Sequence, residues 1–265
     1  MTSPIFTLHG SPRLTLVGAG PGDPELITLK GINAIKAAEV VLYDALVSKE
    51  ILQLIPSDVP ALSVGKRAGS HEYSQEEINE LIVEFAYLYG HVVRLKGGDS
   101  FVFGRGAEEM EYAQAHGIQT YVIPGVSSAI AVPASLNIPV TARGISESFW
   151  VVTGTTKAGQ ISGDVGLAAQ SNATVVILMG LKKIKEIMWL FESHGKGETP
   201  VAVIQNGTLP NQKIVVGTVS SIAHLTTAEH LGPPAIIVVG EVVRQANALK
   251  EITYEAVGQY QYGTQ

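Results

Sequence analysis

The chain is punctuated by short apolar runs rich in valine and isoleucine, and that rhythm restricts it to few folds. In the first half they are "LTLVG" (14–18), "VVLYD" (40–44), "ALSVG" (61–65), "VVRLK" (92–96) and "TYVIPG" (120–125). Between several of them lie helical patterns such as "DPELITLKGINAIKAAE", where Asp23 suits a cap and Pro24 the first helical position. Continuous β-branched runs alternating with helices indicate a mostly parallel sheet covered on both faces.

A second series follows: "FWVVTG" (149–154), "TVVILMG" (174–180), "PVAVIQNG" (200–207), "KIVVGTV" (213–219) and "PAIIVVGEVV" (234–243). The short step between the third and fourth runs predicts a hairpin, hence a mixed sheet in the second half. The expected organisation is two α/β domains, residues 1–138 and 149–265. Residues 139–148, which carry Arg143 and Gly144, form the linker.

Composition narrows the function. Of 265 residues 46% are hydrophobic and 16% charged, as in a well-buried globular protein. The net charge of −6 gives no global basic footprint for nucleic acid, so cations for an anionic ligand must be gathered locally. The absence of cysteine excludes disulfides, thiol nucleophiles and Cys-ligated zinc, and is compatible with the cytoplasm. The opening "MTSPIFTLHGSP" does not read as a signal peptide, and no run is long enough to span a membrane. The seven histidines show no ligand spacing, so no metal site is expected.

In open α/β sheets ligands bind beyond the carboxyl ends of the strands. There the chain places "GAGPGDP", "YDALV", "GKRAG", "KGGDSFVFGRG" and "PGVSSA", the most glycine-rich and polar parts of the first half. "GAGPGD" fails the dinucleotide fingerprint, because Asp23 stands where a small residue must let helix and strand approach. In "KGGDS", Gly97 and Gly98 permit positive φ and expose backbone; Asp99 either closes the turn or meets a ligand. Ser127 and Ser128 either cap a helix or face a ligand. Phe101 and Phe103 are expected to pack the loop. "MEYAQAHG" (110–117) reads as a helix ending at Gly117, with His116 at its C-terminal dipole.

Of six arginines, Arg67, Arg105 and Arg143 sit one or two residues from glycine in loop-like surroundings. Together they favour a multiply anionic ligand, since the guanidinium fork matches a carboxylate. Asp44 ends one buried strand, and Lys66 follows another. They either serve proton transfer or neutralise each other.

In order over about residues 13 to 245, "VGAGPGDPELITLKG", "VLYDALVS", "VGKRAG", "QEEIN", "RLKGGDSFVFGRGAEE", "PGVSSA", "IPVTARG", "MGL", "VIQNGT" and "PAIIVVGEVV" resemble the tetrapyrrole methylases. The combination of "YD", "GKRAG" and "LKGGD.FVFGRG" is similar to their uroporphyrinogen-III C-methyltransferases. Single motifs are shared with later precorrin methyltransferases and diphthine synthases. A non-catalytic nucleotide-binding module remains a third reading.

The resemblance implies a two-domain α/β homodimer holding S-adenosylmethionine in a cleft between the domains, with S-adenosylhomocysteine as product. It implies methylation of uroporphyrinogen III at carbons 2 and 7, through precorrin-1 to precorrin-2. By position it assigns the cofactor to Pro21, Gly97, Gly98, Asp99, Val102, Ser127, Ser128, Met179, Gly207 and Ala235. Asp44 corresponds to a proton acceptor and Lys66 to a donor, while Arg67, Arg105 and Arg143 are expected to clamp substrate carboxylates. Neither nucleic acid nor membrane is an expected partner, and a monofunctional chain is expected. Three positions depart from the family pattern: Ser100 replaces proline, Ala142 histidine and Leu178 tyrosine.

Overall fold

In the computed structural model, which describes residues 11–65 and 73–245, every one of these apolar runs contributes a strand. The first series gives β1 (Arg13–Gly18), β2 (Val40–Tyr43), β3 (Ala61–Ser63), β4 (His91–Lys96) and β5 (Gln119–Ile123). The second gives β6 (Phe149–Thr153), β7 (Thr174–Leu178), β8 (Pro200–Gln205), β9 (Lys213–Thr218) and β10 (Ala235–Val239). The helices are α1 (Leu29–Lys36), α2 (Lys49–Leu52), α3 (Gln75–Tyr89), α4 (Gly106–Ala115), α5 (Ser128–Ser135), α6 (Gly163–Gln170), α7 (Ile184–Ser193) and α8 (Val219–Ala228).

The chain divides into two compact units, Met1–Ser128 and Ala129–Gln265. The segment 139–148 lies inside the second. In the first, five parallel strands take the order β3-β2-β4-β1-β5. One face carries Leu14, Leu16, Val40, Leu42 and Val92 under α3 and α4, through Ile78, Ile82, Ala86 and Ala113. The other carries Val17, Val41, Val93 and Leu95 under α1 and α2, through Ile35 and Ile51. Both faces are therefore dry, which is why these strands show apolar runs instead of alternation.

β1 and β4 are neighbours, yet the connection from β1 covers one face and that from β4 the other. Adjacent strands whose connections diverge leave a crevice at their carboxyl ends. The topology thus picks out the loops after β1 and β4 before any side chain is considered.

Local signals behave as their chemistry requires, with one adjustment. α3 starts in a capping box between Ser74 and Glu77, and α4 ends at His116 with Gly117 at φ 75°. Asp23 and Pro24 begin only a 3-10 turn, Pro24–Leu26; α1 starts separately, with Thr28 Oγ1 accepting from Gly31 N–H.

In the second unit the order is β6-β7-β10-β8-β9, with β6 and β7 parallel and β10 antiparallel to both β7 and β8. β8 and β9 form the expected antiparallel hairpin. α6, α7 and α8 cover one face through residues such as Val165, Ile187, Phe191 and Ile222. α5 covers the other with Ala129 and Val132 against Val176, Ala202 and Val238.

Candidate active site

Three glycine-bearing loops meet at the carboxyl ends of β1, β4 and β5. Gly20 and Gly98 form a two-way bridge, Gly98 N–H to Gly20 O at 2.6 Å and Gly20 N–H to Gly98 O at 3.1 Å. A Cβ on Gly125 would lie 2.2 Å from Gly98 O, and one on Gly18 would lie 2.4 Å from Gly125 N. No other residue permits that approach. Pro21 follows the bridge directly, half-buried, and Val102 is half-buried in the same loop system.

Gly98 differs from its neighbours. Its φ is +66°, and a Cβ there would meet nothing nearer than Ser128 N at 3.7 Å. The backbone is open on that side beside the first residue of α5, a cradle a side chain would fill. Asp99 secures it: Oδ1 accepts from Phe101 N–H at 2.8 Å and Oδ2 from Gly125 N–H at 2.9 Å. Phe101 and Phe103, expected to pack the loop, are 54% and 43% exposed, and the Phe101 ring still lies against Gly106.

Left-handed backbone at non-glycine residues costs energy and collects at functional loops. Here it occurs at Phe103 and Arg105 after β4, Met179 after β7, and Asn206 and Thr208 after β8, as well as at Asn137 and His230 away from these loops. Arg105 is the N-cap residue of α4, and its guanidinium grips Glu108 through two bonds, at 3.0 and 2.5 Å. The side chain is 43% exposed, so the fork is aimed but can exchange partners.

The second unit gathers its own set. Met179, Gly207 and Ala235 lie at one end of the second sheet, where Ile236 pairs with Leu178 and Ala235 with Gln205. Met179 is 54% exposed at φ 56°. Gly207 has a packing reason of its own, because a Cβ would lie 2.3 Å from a methyl of Val132. Arg143 is exposed beside Gly144. Lys66 and Arg67 lie outside the described residues.

Asp44 follows β2 and is not alone. Arg94 Nη2 donates to its Oδ1 at 2.5 Å, and Lys96 Nζ stands 3.8 Å from Oδ2. Behind them Glu109 Oε1 accepts from Lys96 at 2.8 Å and Gln75 at 3.2 Å, and Arg94 Nη2 stands 3.3 Å from it as an ion-pair partner. Arg94, Lys96 and Glu109 are buried at 1%, 3% and 0% exposure, whereas the Asp44 side chain keeps 28%. Burial pushes the Lys96 ammonium below its ordinary pKa and the Arg94 charge pushes it further; Glu109 and Asp44 oppose both.

Sequence reading passed over Arg94, Lys96 and Glu109. A signal existed: Arg94 and Lys96 stand two apart in a strand, so both point to one face. Two cations buried on one face require carboxylates opposite, since an unpaired buried charge costs several kcal/mol.

The model of the Tetrapyrrole (Corrin/Porphyrin) Methylases matches residues 13–223. A uroporphyrinogen-III C-methyltransferase of Methanocaldococcus jannaschii is 49% identical over 233 residues, covering 87% of this chain and 96% of that protein. A siroheme synthase of Actinobacillus pleuropneumoniae is 46% identical over 92% of this chain, which spans about half (50%) of that relative. A crystal structure of uroporphyrin-III C-methyl transferase from Thermus thermophilus complexed with S-adenyl homocysteine has a TM-score of 0.76 at 38% identity. It covers 88% of this chain and 99% of that one.

Proposed function

The chain belongs to the tetrapyrrole methylase family, and we propose that it is an S-adenosylmethionine-dependent C-methyltransferase of uroporphyrinogen III. The observation that carries this reading is the open cradle at Gly98, built from bridged glycine loops at the divergence of β1 and β4. It fits a group that lies against backbone: Gly97, Gly98 and Asp99 with Pro21, Val102, Ser127 and Ser128 from the first unit. By their positions in the family pattern, Met179, Gly207 and Ala235 are also assigned to the cofactor.

When bound, the cofactor supplies a methyl group on a sulfonium whose departure as a thioether drives transfer. The protein's share is positioning, which can lower a barrier by about 7–11 kcal/mol when the reacting atoms are well aligned. Arg105, Arg143 and Arg67 hold substrate carboxylates. This explains how a chain of net charge −6 takes a polyanion.

Each transfer adds a methyl cation to a ring carbon, so the macrocycle must release one proton. Asp44 accepts it, held by Arg94 at the edge of the buried charge cluster. Lys66 returns a proton. Two rounds at carbons 2 and 7 give precorrin-2, which feeds sirohaem or cobalamin synthesis. Among the described residues no helix is long and apolar enough to cross a membrane; a cytoplasmic homodimer completes the reading.

A panel with radiolabelled methyl donor tests it. Label should enter uroporphyrinogen III and not a later precorrin. Label in the later precorrin alone would move the chain to another branch of the family.

A further inference from the structure

The four-membered cluster contains two cations, Arg94 and Lys96, and two anions, Asp44 and Glu109, so it is balanced. Its geometry is not symmetric. Glu109 gathers two hydrogen bonds on Oε1 alone, from Lys96 of β4 and Gln75 of α3, with Arg94 Nη2 an ion-pair partner at 3.3 Å, while its Oε2 makes no hydrogen bond. It is fully buried, so it reaches neither solvent nor substrate. Asp44 is the only partly exposed member. Every contact between Glu109 and Asp44 runs through the same two cations.

We propose that Glu109 is a positioning residue for Asp44: it anchors Lys96 and one arm of Arg94 from behind, fixing the guanidinium that orients the Asp44 carboxylate and setting the positive charge it faces. This rests on Asp44 being the proton acceptor. Among the described residues, the groups facing Asp44 are Arg94 and Lys96 from β4 and, behind them, Glu109 from α4, with the neutral Gln75 from α3. Neutralising Glu109 leaves two cations against one carboxylate. Asp44 then holds its negative charge more tightly and becomes a weaker base.

The test uses the full chain with uroporphyrinogen III and S-adenosylmethionine. Glu109→Gln should lower kcat at neutral pH roughly tenfold, a fraction of the about 10²–10⁴-fold that a general base supplies in full. KM for both substrates should stay within about twofold, and the acidic limb of the kcat profile should move to lower pH. Lys96→Met should move that limb to higher pH, and the double variant Lys96→Met/Glu109→Gln should bring it back.

A folded Glu109→Gln protein with lowered Tm but an unmoved limb would reduce Glu109 to a structural role and overturn the proposal. If Glu109→Gln does not fold, the double variant compared with Lys96→Met carries the same test, and coincident limbs overturn it. Asp44→Asn separates the two readings. Full turnover in that variant refutes Asp44 as base, whereas lost turnover with an unmoved Glu109→Gln limb refutes only the positioning role.

Discussion

Asp99 joins two loops with one carboxylate: Oδ2 accepts from Gly125 N–H at 2.9 Å while Oδ1 accepts from Phe101 N–H at 2.8 Å. The loop after β4 is thereby fastened to the loop after β5, and the Gly98 cradle lies between them. Its first duty is therefore to shape the cradle. Asp99→Asn keeps only one acceptor oxygen and loses a charge-assisted bond worth about 1.5–3 kcal/mol. Chemical denaturation should show that loss, and calorimetry should show weaker S-adenosylhomocysteine binding. Unchanged stability and affinity would remove Asp99 from this role.

The glycines can be ranked. Gly98→Ala meets no clash but must hold φ +66°, at roughly 1–2 kcal/mol. Gly125→Ala places a methyl 2.2 Å from Gly98 O and 2.7 Å from Gly18 Cα, all backbone, so the loops must part. Gly125→Ala should therefore have the lower Tm and the weaker S-adenosylhomocysteine binding. The reverse order would contradict the three-loop contact.

His91 gives the fold a pH dependence. Its Nδ1 donates to Ala37 O at 2.9 Å, leaving Nε2 to accept from the Thr15 hydroxyl at 2.9 Å. Burial, with help from the Arg13 charge, holds its pKa below 6.5, against the pull of Ala37 O and Glu39. The unfolded chain takes up a proton near pH 6.5 that the folded chain refuses. Stability contributed by the neutral imidazole is complete above that pH and declines as pH falls below it. Urea midpoints measured from about pH 7 to 5 should fall more steeply for the native chain than for His91→Asn. Equal slopes would show that other groups carry the effect.

Much of this architecture is legible in the residues. Both sheets follow from the β-branched runs, and the β8–β9 hairpin from the short step at 206–212, because burial on two faces writes itself as continuous apolar sequence. The candidate loops are legible too, since glycine records close approach, as at Gly18 and Gly125. What composition hides is long-range pairing. Nothing near "VVRLK" announces that Glu109, thirteen residues beyond Lys96, closes a charge cluster beneath α4. The left-handed backbone at Phe103 is equally illegible, since no glycine or asparagine marks it in the sequence.

Ser100 is fully buried, and its Oγ makes no hydrogen bond. A buried hydroxyl without a partner costs about 1–3 kcal/mol. Ser100→Ala should raise stability by part of that amount, about 1 kcal/mol, read as a higher Tm. A lower Tm would mean that the hydroxyl has a partner in solution.

The central claim is methyl transfer to uroporphyrinogen III, and mass analysis of the product tests it most directly. Incubation of the chain with that tetrapyrrole and S-adenosylmethionine should yield a product heavier by two CH2 units, two methyls gained and two protons lost, with S-adenosylhomocysteine released in step. A macrocycle of unchanged mass, from protein that still binds S-adenosylhomocysteine, would contradict the account and leave a binding module in its place.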